Sequence, residues 1–248
     1  MIDSRLQGFI TNFCNPNNWP SLEYSKSLIQ TLLQDSRVYY TIGCHPKLAD
    51  LYTPQLQEDL ETLILQGGEK CIAIGECGLD NSVNSKCKME EQVMAFKNQI
   101  YLAIKLKKPI VLHIRGPNTE EVAIKILKDS EMPSKWPIHR HCWNGSVIEC
   151  QVWISNFKNS VIGFTPLITY DTARNVQQVA KIIPLEKIIL ETDAPYFAPK
   201  DGGRKSGRNY SLPIDVDIVA KSIAKIRGCT SKEVLLVSRE NIKKIYDV

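Results

Sequence analysis

Carboxylate and imidazole side chains recur at the ends of apolar segments in this chain. Glu191 and Asp193 follow the aliphatic run Ile188–Leu190, and Pro195 cannot continue a central strand, so the strand is expected to end near Asp193. Residues two apart on a strand point to the same face, which predicts that these two carboxylates lie side by side. Taken alone, such an acid could equally cap the next helix or pair with a lysine.

The same arrangement recurs in other apolar segments, and this recurrence favours a shared site over isolated caps. All four histidines of the chain lie near the ends of such segments, which scattered core histidines would not do. The additional segments are Tyr40–Pro46, Ala73–Glu76, Pro109–Arg115 and Ile138–Cys142. The carboxyl ends of buried strands are where α/β enzymes place their catalytic groups.

Four side chains from four strand ends form a candidate metal-binding set: Glu76, His113, His141 and Asp193. Carboxylate and imidazole groups are ligands for divalent ions such as Mg²⁺, Mn²⁺ or Zn²⁺. A carboxylate such as Glu76 can bridge two ions, and two ions about 3.5–4 Å apart stabilise both oxygens of a phosphoryl displacement. The set therefore predicts metal-assisted hydrolysis.

Two further residues are candidates for substrate binding. Arg115 lies on the same strand face as His113, where its guanidinium could bind a phosphate through two hydrogen bonds. His45 could bind a substrate oxygen or relay a proton. Either residue could instead be structural, and the cationic segment Lys200–Arg208 is more typical of a solvated loop than of a binding groove.

Two other polar residues lie one strand step deeper than the candidate ligands. His139 precedes His141 by two positions, and Glu191 precedes Asp193 by two. We expect His139 to belong to the core and Glu191 to make buried hydrogen bonds.

The elements that must position these residues alternate between strand and helix. Strands are predicted at Phe9–Cys14, Val38–Gly43, Cys71–Gly75, Ile110–Ile114, Ile138–Cys142, Val161–Phe164 and Ile188–Leu190, and Asp80 is placed in a loop. Helices are predicted at Ser21–Leu33, 53–65, Met89–Leu106, Thr119–Leu127, Val147–Asn156 and Thr172–Ile182, with two more over Pro213–Tyr246. Seven strands favour an α/β barrel, which has eight, so either the sheet is open or a strand is missing before Met1. The stretch Lys200–Asn209 is expected to be flexible.

Length and composition set limits on the protein. With 248 residues the chain forms one large domain or two small ones. A net charge of +4 permits a nucleic-acid partner without arguing for one. The eight cysteines include no CxxC pair, which indicates reduced thiols in an intracellular protein, and no apolar run is long enough for a membrane span.

Five short motifs, in order, resemble those of the TatD-type metal-dependent nucleases, and the likeness is closest to the larger animal members. The motifs are Gly43-Cys44-His45-Pro46, Gly75-Glu76-Cys77-Gly78-Leu79-Asp80, His113-Ile114-Arg115, His141-Cys142-Trp143-Asn144-Gly145 and Glu191-Thr192-Asp193-Ala194-Pro195-Tyr196. The terminal Arg239-Glu240-Asn241 also resembles the family's closing helix.

The resemblance implies a single hydrolase domain over residues 1–248 with a (β/α)8 TIM barrel of the amidohydrolase type. Glu76 would bridge two divalent ions, with Mg²⁺ expected and Mn²⁺ or Zn²⁺ as alternatives. His113 and His141 would hold one ion, and Asp193 would hold the other and orient water. Arg115 and His45 would face the scissile phosphate.

The implied activity is that of an exonuclease or DNase on single-stranded DNA or RNA ends, in DNA repair or breakdown. Such an enzyme would lie in the nucleus or cytoplasm with no membrane partner, and the sequence leaves its oligomeric state open.

The chain departs from the family at its start and after Asp80. The family's first strand contains an HxH motif that is missing here, and Gln7–Cys14 corresponds in pattern to the family's second strand. Asn81 stands where the family often has tyrosine. We therefore expect an N-terminally incomplete domain, and an inactive member that binds metal or nucleic acid stays open as an alternative. A small-molecule amidohydrolase would share the barrel and the ions but would be expected to lack Arg115.

Overall fold

A computed structural model describes residues 6–20, 31, 33–201, 204–205 and 207–248. The helix predicted over Ser21–Leu33 falls largely outside the described residues. Contacts divide the chain into two compact units, residues 6–138 and residues 139–248.

Residues 6–138 contain parallel strands that pair in chain order, with helices between them. The strands are β1 (Phe9–Phe13), β2 (Val38–Ile42), β3 (Cys71–Asp80) and β4 (Ile110–Arg115). The helices are α1 (Pro54–Gly67), α2 (Met89–Leu106) and α3 (Thr119–Asp129). Helix α1 begins as predicted, because Thr53 Oγ1 accepts a hydrogen bond from the Leu56 amide at 3.1 Å. Proline is tolerated at position 54 because an N–H in the first turn of a helix has no intrahelical partner.

Residues 139–248 continue the alternation. The strands are β5 (Ile138–Arg140), which begins at the boundary, β6 (Ser160–Phe164) and β7 (Ile188–Leu190), and β6 pairs with β7 in parallel. The helices are α4 (Val147–Asn156), α5 (Arg174–Ile182), α6 (Val216–Arg227) and α7 (Ser231–Tyr246). Gly228 ends α6 in a left-handed conformation with φ 70° and separates the two helices predicted over Pro213–Tyr246.

Two polar side chains of helix α7 bind the backbone of the β7 region. Ser238 Oγ accepts a hydrogen bond from the Leu190 amide at 3.0 Å. Asn241 Nδ2 donates to the carbonyl oxygens of Ile188, at 2.7 Å, and Leu185, at 2.9 Å. The terminal Arg239-Glu240-Asn241 motif therefore has a structural role, since Asn241 fixes α7 against this strand.

Strand β3 extends five residues beyond its predicted end at Gly75, so the loop predicted around Asp80 is wrong. Gly78 pairs with His113 and Asp80 with Arg115 on β4. Gly78 has φ 140°, and a Cβ there would lie 2.1 Å from the His113 carbonyl oxygen. Glycine is thus required for the close approach of these two backbones.

Smaller differences concern β5 and the cationic segment. Strand β5 ends at Arg140 rather than Cys142, because Cys142 turns the backbone at φ 45°. The segment predicted to be flexible contains a short antiparallel pair, in which Lys200 pairs with Lys205 and Asp201 with Arg204. Among the helices in the described ranges, none has the length and hydropathy of a membrane-spanning segment.

Candidate metal centres

The first cluster of potential ligands lies in the unit 6–138 and consists of His45, Glu76 and His113. One donor atom from each of these side chains lies within 4.8 Å of the others. Glu76 is a residue of β3 and His113 of β4, and both side chains are buried. Nδ1 of His113 lies 3.2 Å from Oε1 of Glu76, so this ring nitrogen faces the carboxylate.

Asp80 sets the orientation of the His113 ring. Its Oδ2 atom accepts a hydrogen bond from Nε2 of His113 at 2.9 Å, which leaves the lone pair on Nδ1, the nitrogen that faces Glu76. Oδ1 accepts from the amide and the hydroxyl of Ser82. Burial tends to raise the pKa of Asp80, but the hydrogen bonds from His113 and Ser82 outweigh it and hold this pKa well below its usual range.

His45 presents a hydrogen-bond donor to this cluster. The Lys47 amide donates to Nδ1 of His45 at 3.1 Å. Burial and the neighbouring His113 lower the pKa of His45 to about 4, so its ring is neutral near pH 7 and its single proton lies on Nε2. That N–H is 3.3 Å from Nδ1 of His113. A protonated nitrogen suits a substrate oxygen better than a metal ion, and the substrate role of His45 stays a prediction.

Two buried glutamines of helix α2 fix the backbone segments next to this cluster. Gln92 accepts a hydrogen bond from the Asp80 amide at 2.7 Å and donates to the Asp80 carbonyl at 3.1 Å. Gln99 makes the same pair of contacts with Cys44, at 2.7 and 3.2 Å. The two glutamines are seven residues apart, so they lie on one face of the helix. Helix α2 thereby holds two strand ends in place.

The second cluster lies in the unit 139–248 and contains His141 and Asp193. Nε2 of His141 lies 3.6 Å from Oδ1 of Asp193, and donor atoms of these residues and of Cys142 lie within 4.8 Å of one another. His141 follows β5 directly and is buried, whereas Asp193 is partly exposed. Asp193 has φ 49°, a left-handed conformation that aspartate tolerates better than most residues.

Glu191 orients His141 in the way that Asp80 orients His113. Its Oε2 atom lies 2.8 Å from Nδ1 of His141 and accepts a hydrogen bond from the Cys142 amide at 3.1 Å. Its Oε1 atom accepts from Nε2 of His139, and the other nitrogen of that ring accepts from the Tyr246 hydroxyl at 2.6 Å. Burial tends to raise the pKa of Glu191, but His141 and His139 outweigh it and lower this pKa.

The space for the Glu191 carboxylate comes from a glycine on the neighbouring strand. A Cβ at Gly163 would overlap Oε1 of Glu191 and would lie 2.7 Å from Nε2 of His139. His139 is buried and Glu191 makes hydrogen bonds, as predicted. Donor atoms of His139, His141 and Glu191 also lie within 4.8 Å of one another, close enough to hold an ion, so the core role of His139 stays a prediction.

The residues predicted from the sequence thus fall into two sets. His45, Glu76 and His113 come together in one unit, and His141 and Asp193 come together in the other. Arg115 ends β4, two residues after His113, and is partly exposed. Asp80, Gln92 and Gln99 were not predicted from the sequence as residues of the site. The acid at the end of the Gly75–Asp80 motif was the available signal for Asp80, whereas the glutamines gave none.

A protein-family model described as TatD related DNase matches residues 3–247 of this chain. The chain belongs to the TatD-related DNase family. The resemblance seen in its five motifs is therefore confirmed, and the chain is a member of a family of metal-dependent hydrolases.

Named relatives of this TatD-family chain are both human and bacterial. The human 3′-5′ RNA nuclease TATDN2 is 34% identical over 242 residues, which make up 98% of this chain and 30% of that protein. The chain therefore spans less than a third of that relative's length. The uncharacterized metal-dependent hydrolase YabD of Bacillus subtilis is 32% identical, over 85% of this chain and 78% of that protein. The 3′-5′ ssDNA/RNA exonuclease TatD of Shigella flexneri is 27% identical, over 92% of this chain and 85% of that protein.

A solved structure of the family confirms the fold. The crystal structure of YJJV, a TatD homologue from Escherichia coli K12, matches with a TM-score of 0.82 at 22% identity, covering 98% of this chain and 87% of that one. The α/β fold of the barrel-type metal-dependent hydrolases, predicted from the sequence, is thereby established.

Proposed function

We propose that this TatD-family chain is a metal-dependent nuclease that hydrolyses phosphodiester bonds at the 3′ ends of single-stranded DNA or RNA. The main support is the matched orientation of two imidazoles. A second carboxylate holds one nitrogen of His113 and one of His141, which leaves the other nitrogen facing Glu76 or Asp193. In metal-binding proteins a hydrogen bond from one ring nitrogen to a carboxylate commonly orients the other nitrogen towards the ion. The substrate class is proposed from relatives that are named as nucleases.

The donor atoms fit divalent ions. Glu76 and His113 in one unit, and His141 and Asp193 in the other, offer carboxylate oxygen and imidazole nitrogen within binding reach of one another. We propose Mg²⁺ as the ion, with Mn²⁺ and Zn²⁺ as alternatives. A bound divalent ion supplies a Lewis acid for phosphoryl oxygens and lowers the pKa of water. That Glu76 bridges two ions stays a prediction.

The remaining groups act on the substrate and on protons. His45 donates the hydrogen of Nε2 to a phosphate oxygen, and Arg115 neutralises the phosphate with its guanidinium. Asp193 orients the attacking water and accepts its proton. We also propose an intracellular setting, nucleus or cytoplasm, in repair or breakdown of nucleic acid, because Cys44, Cys71 and Cys77 are buried free thiols.

The test is hydrolysis of a single-stranded oligonucleotide labelled at its 5′ end, after removal of metal with EDTA and addition of Mg²⁺, Mn²⁺ or Zn²⁺. We expect successive shortening from the 3′ end that needs added metal. Glu76→Gln and His113→Ala should abolish it while the melting temperature shows a folded protein. The matched control is Glu90→Gln, which changes an exposed carboxylate on α2.

Two results would count against the proposal. Cleavage by Glu76→Gln at the wild-type rate would remove Glu76 from the site. A chain that binds metal but leaves every oligonucleotide intact would favour the inactive alternative.

A further inference from the structure

An exposed apolar patch adjoins Asp193. Tyr196 is 67% exposed and Tyr210 is 50% exposed, and Leu212 beside them is 39% exposed. Ala194 and Pro195 are exposed as well. A single exposed tyrosine is ordinary, but two exposed tyrosines with apolar neighbours, on segments next to a candidate site, indicate a binding surface.

Hydrogen bonds hold the two tyrosine-bearing segments together. The Ser211 amide donates to the Pro195 carbonyl at 3.0 Å. The buried Ser211 hydroxyl donates to the Tyr196 carbonyl and lies 3.2 Å from the Thr192 carbonyl oxygen. The Tyr196 amide donates to the Asp193 carbonyl at 2.8 Å. Both rings therefore have a fixed attachment close to Asp193.

Two cations of the unit 139–248 lie against tyrosine rings. The guanidinium of Arg208 lies 5.7 Å from the centre of the Tyr210 ring, and Asp215 holds it there at 2.7 Å. The Lys200 ammonium lies 4.6 Å from the centre of the Tyr170 ring. Proteins bind single-stranded nucleic acid with cations that follow the phosphates and aromatic rings on which the bases stack.

We propose that Tyr196 and Tyr210 form a stacking platform for bases of the single-stranded substrate beside the scissile phosphate. The inference rests on the proposed nuclease function and adds a means of recognising bases without reading their sequence. Any base offers a flat face, so the platform would accept DNA and RNA alike.

The test compares two nuclease-resistant phosphorothioate octamers in Mg²⁺ buffer, one with thymine at every position and one with abasic residues throughout. Binding of the 248-residue chain is measured by fluorescence anisotropy. Tyr196→Ala and Tyr210→Ala should each weaken binding of the thymine strand about tenfold, as loss of one stacked base predicts. Tyr196→Phe should bind normally. Tyr101→Ala, which removes a 57% exposed tyrosine from α2, is the matched control.

The abasic strand separates stacking from damage to the fold, since variants that only disturb the turn would lose affinity for both strands. Loss of affinity by the alanine variants for the thymine strand, but not for the abasic strand, supports the platform. Equal affinity of the alanine variants and the wild type, or equal losses on both strands, would overturn it while leaving the nuclease function standing. If the wild type neither binds nor cuts any oligonucleotide, the proposed function fails and the platform fails with it.

Discussion

Oε2 of Glu191 lies 2.8 Å from Nδ1 of His141, and this contact decides which nitrogen of the imidazole faces Asp193. A hydrogen bond to a carboxylate fixes both the tautomer and the plane of the ring. The lone pair of His141 therefore lies on Nε2, 3.6 Å from the Asp193 carboxylate.

Replacing Glu191 by glutamine should weaken metal binding. The amide of Glu191→Gln can accept through one oxygen only, so His139 and His141 can no longer both donate to the side chain. Loss of such an orienting group typically costs about 10- to 100-fold in metal affinity. Calorimetric titration with Mn²⁺ measures the effect, with Glu186→Gln, an exposed carboxylate of the same unit, as control. Equal affinities in Glu191→Gln and wild type would show that this carboxylate is only a core group.

Replacing Asp80 by asparagine should change the tautomer of His113. Oδ1 of Asp80 accepts hydrogen bonds from Ser82, and Oδ2 accepts one from His113. In Asp80→Asn the amide oxygen should keep the contact with Ser82, so the amide nitrogen would face Nε2 of His113. The amide N–H and the Nε2–H of His113 are both donors and cannot bind each other, so the ring proton should move to Nδ1. Long-range ¹H–¹⁵N spectra of metal-free protein report the tautomer directly, without reference to activity. The prediction fails if His113 keeps its Nε2 proton in Asp80→Asn, and Asp59→Asn on α1 serves as control.

Removing the guanidinium of Arg115 should impair substrate capture more than chemistry. For Arg115→Ala we expect KM for an oligonucleotide to rise about tenfold with little change in kcat, as loss of one charged hydrogen bond would predict. Arg115→Lys should recover part of the loss, because an ammonium keeps the charge but not the two-pronged geometry. Steady-state kinetics decide the matter, with Lys125→Ala as an exposed-cation control. An unchanged KM would make Arg115 structural.

The Asp35–Arg37 pair should contribute stability that acid removes. Hydrogen bonds from the Arg37 side chain and amide lower the pKa of Asp35 from 3.8 to about 2. A depressed carboxyl pKa stabilises the folded state above the unfolded-state value, and the contribution is lost as the pH falls through the folded-state value. Asp35→Asn should therefore lower the melting temperature near pH 6, with the gap from wild type closing towards about pH 2. A difference in melting temperature that stays constant with pH would contradict the assignment. Glu58→Gln, which removes an exposed carboxylate from α1, is the control.

The strand and helix pattern was predictable wherever local signals agreed. Helices α2 and α4 begin and end at their predicted residues, since the spacing of apolar residues and, at α4, the cap at Ser146 point the same way. The end of β3 was not predictable, because Gly75, Gly78 and Asp80 have the composition of a loop. Only pairing with β4 and the contact of Asp80 with His113 make that segment a strand, and both depend on residues more than thirty positions away.

The candidate ligands were predictable for a similar reason. Each lies at or just beyond the end of a strong apolar segment, so residue type and position point to the same place. The groups that orient them are harder to find, since Gln92 and Gln99 resemble any polar residue of a helix. Their role becomes visible only in the fold, which turns both side chains towards buried backbone at Asp80 and Cys44.

The contacts of helix α7 with β7 have a consequence for solubility. An outer strand exposes unpaired amide and carbonyl groups that can recruit a strand from another molecule. Here Ser238 binds the amide of Leu190 and Asn241 binds the carbonyl of Ile188. These two backbone groups of β7 are therefore not available to a strand from another molecule. The same helix supplies the Tyr246 hydroxyl to His139, so the segment that covers these backbone groups of β7 also supports the candidate metal centre.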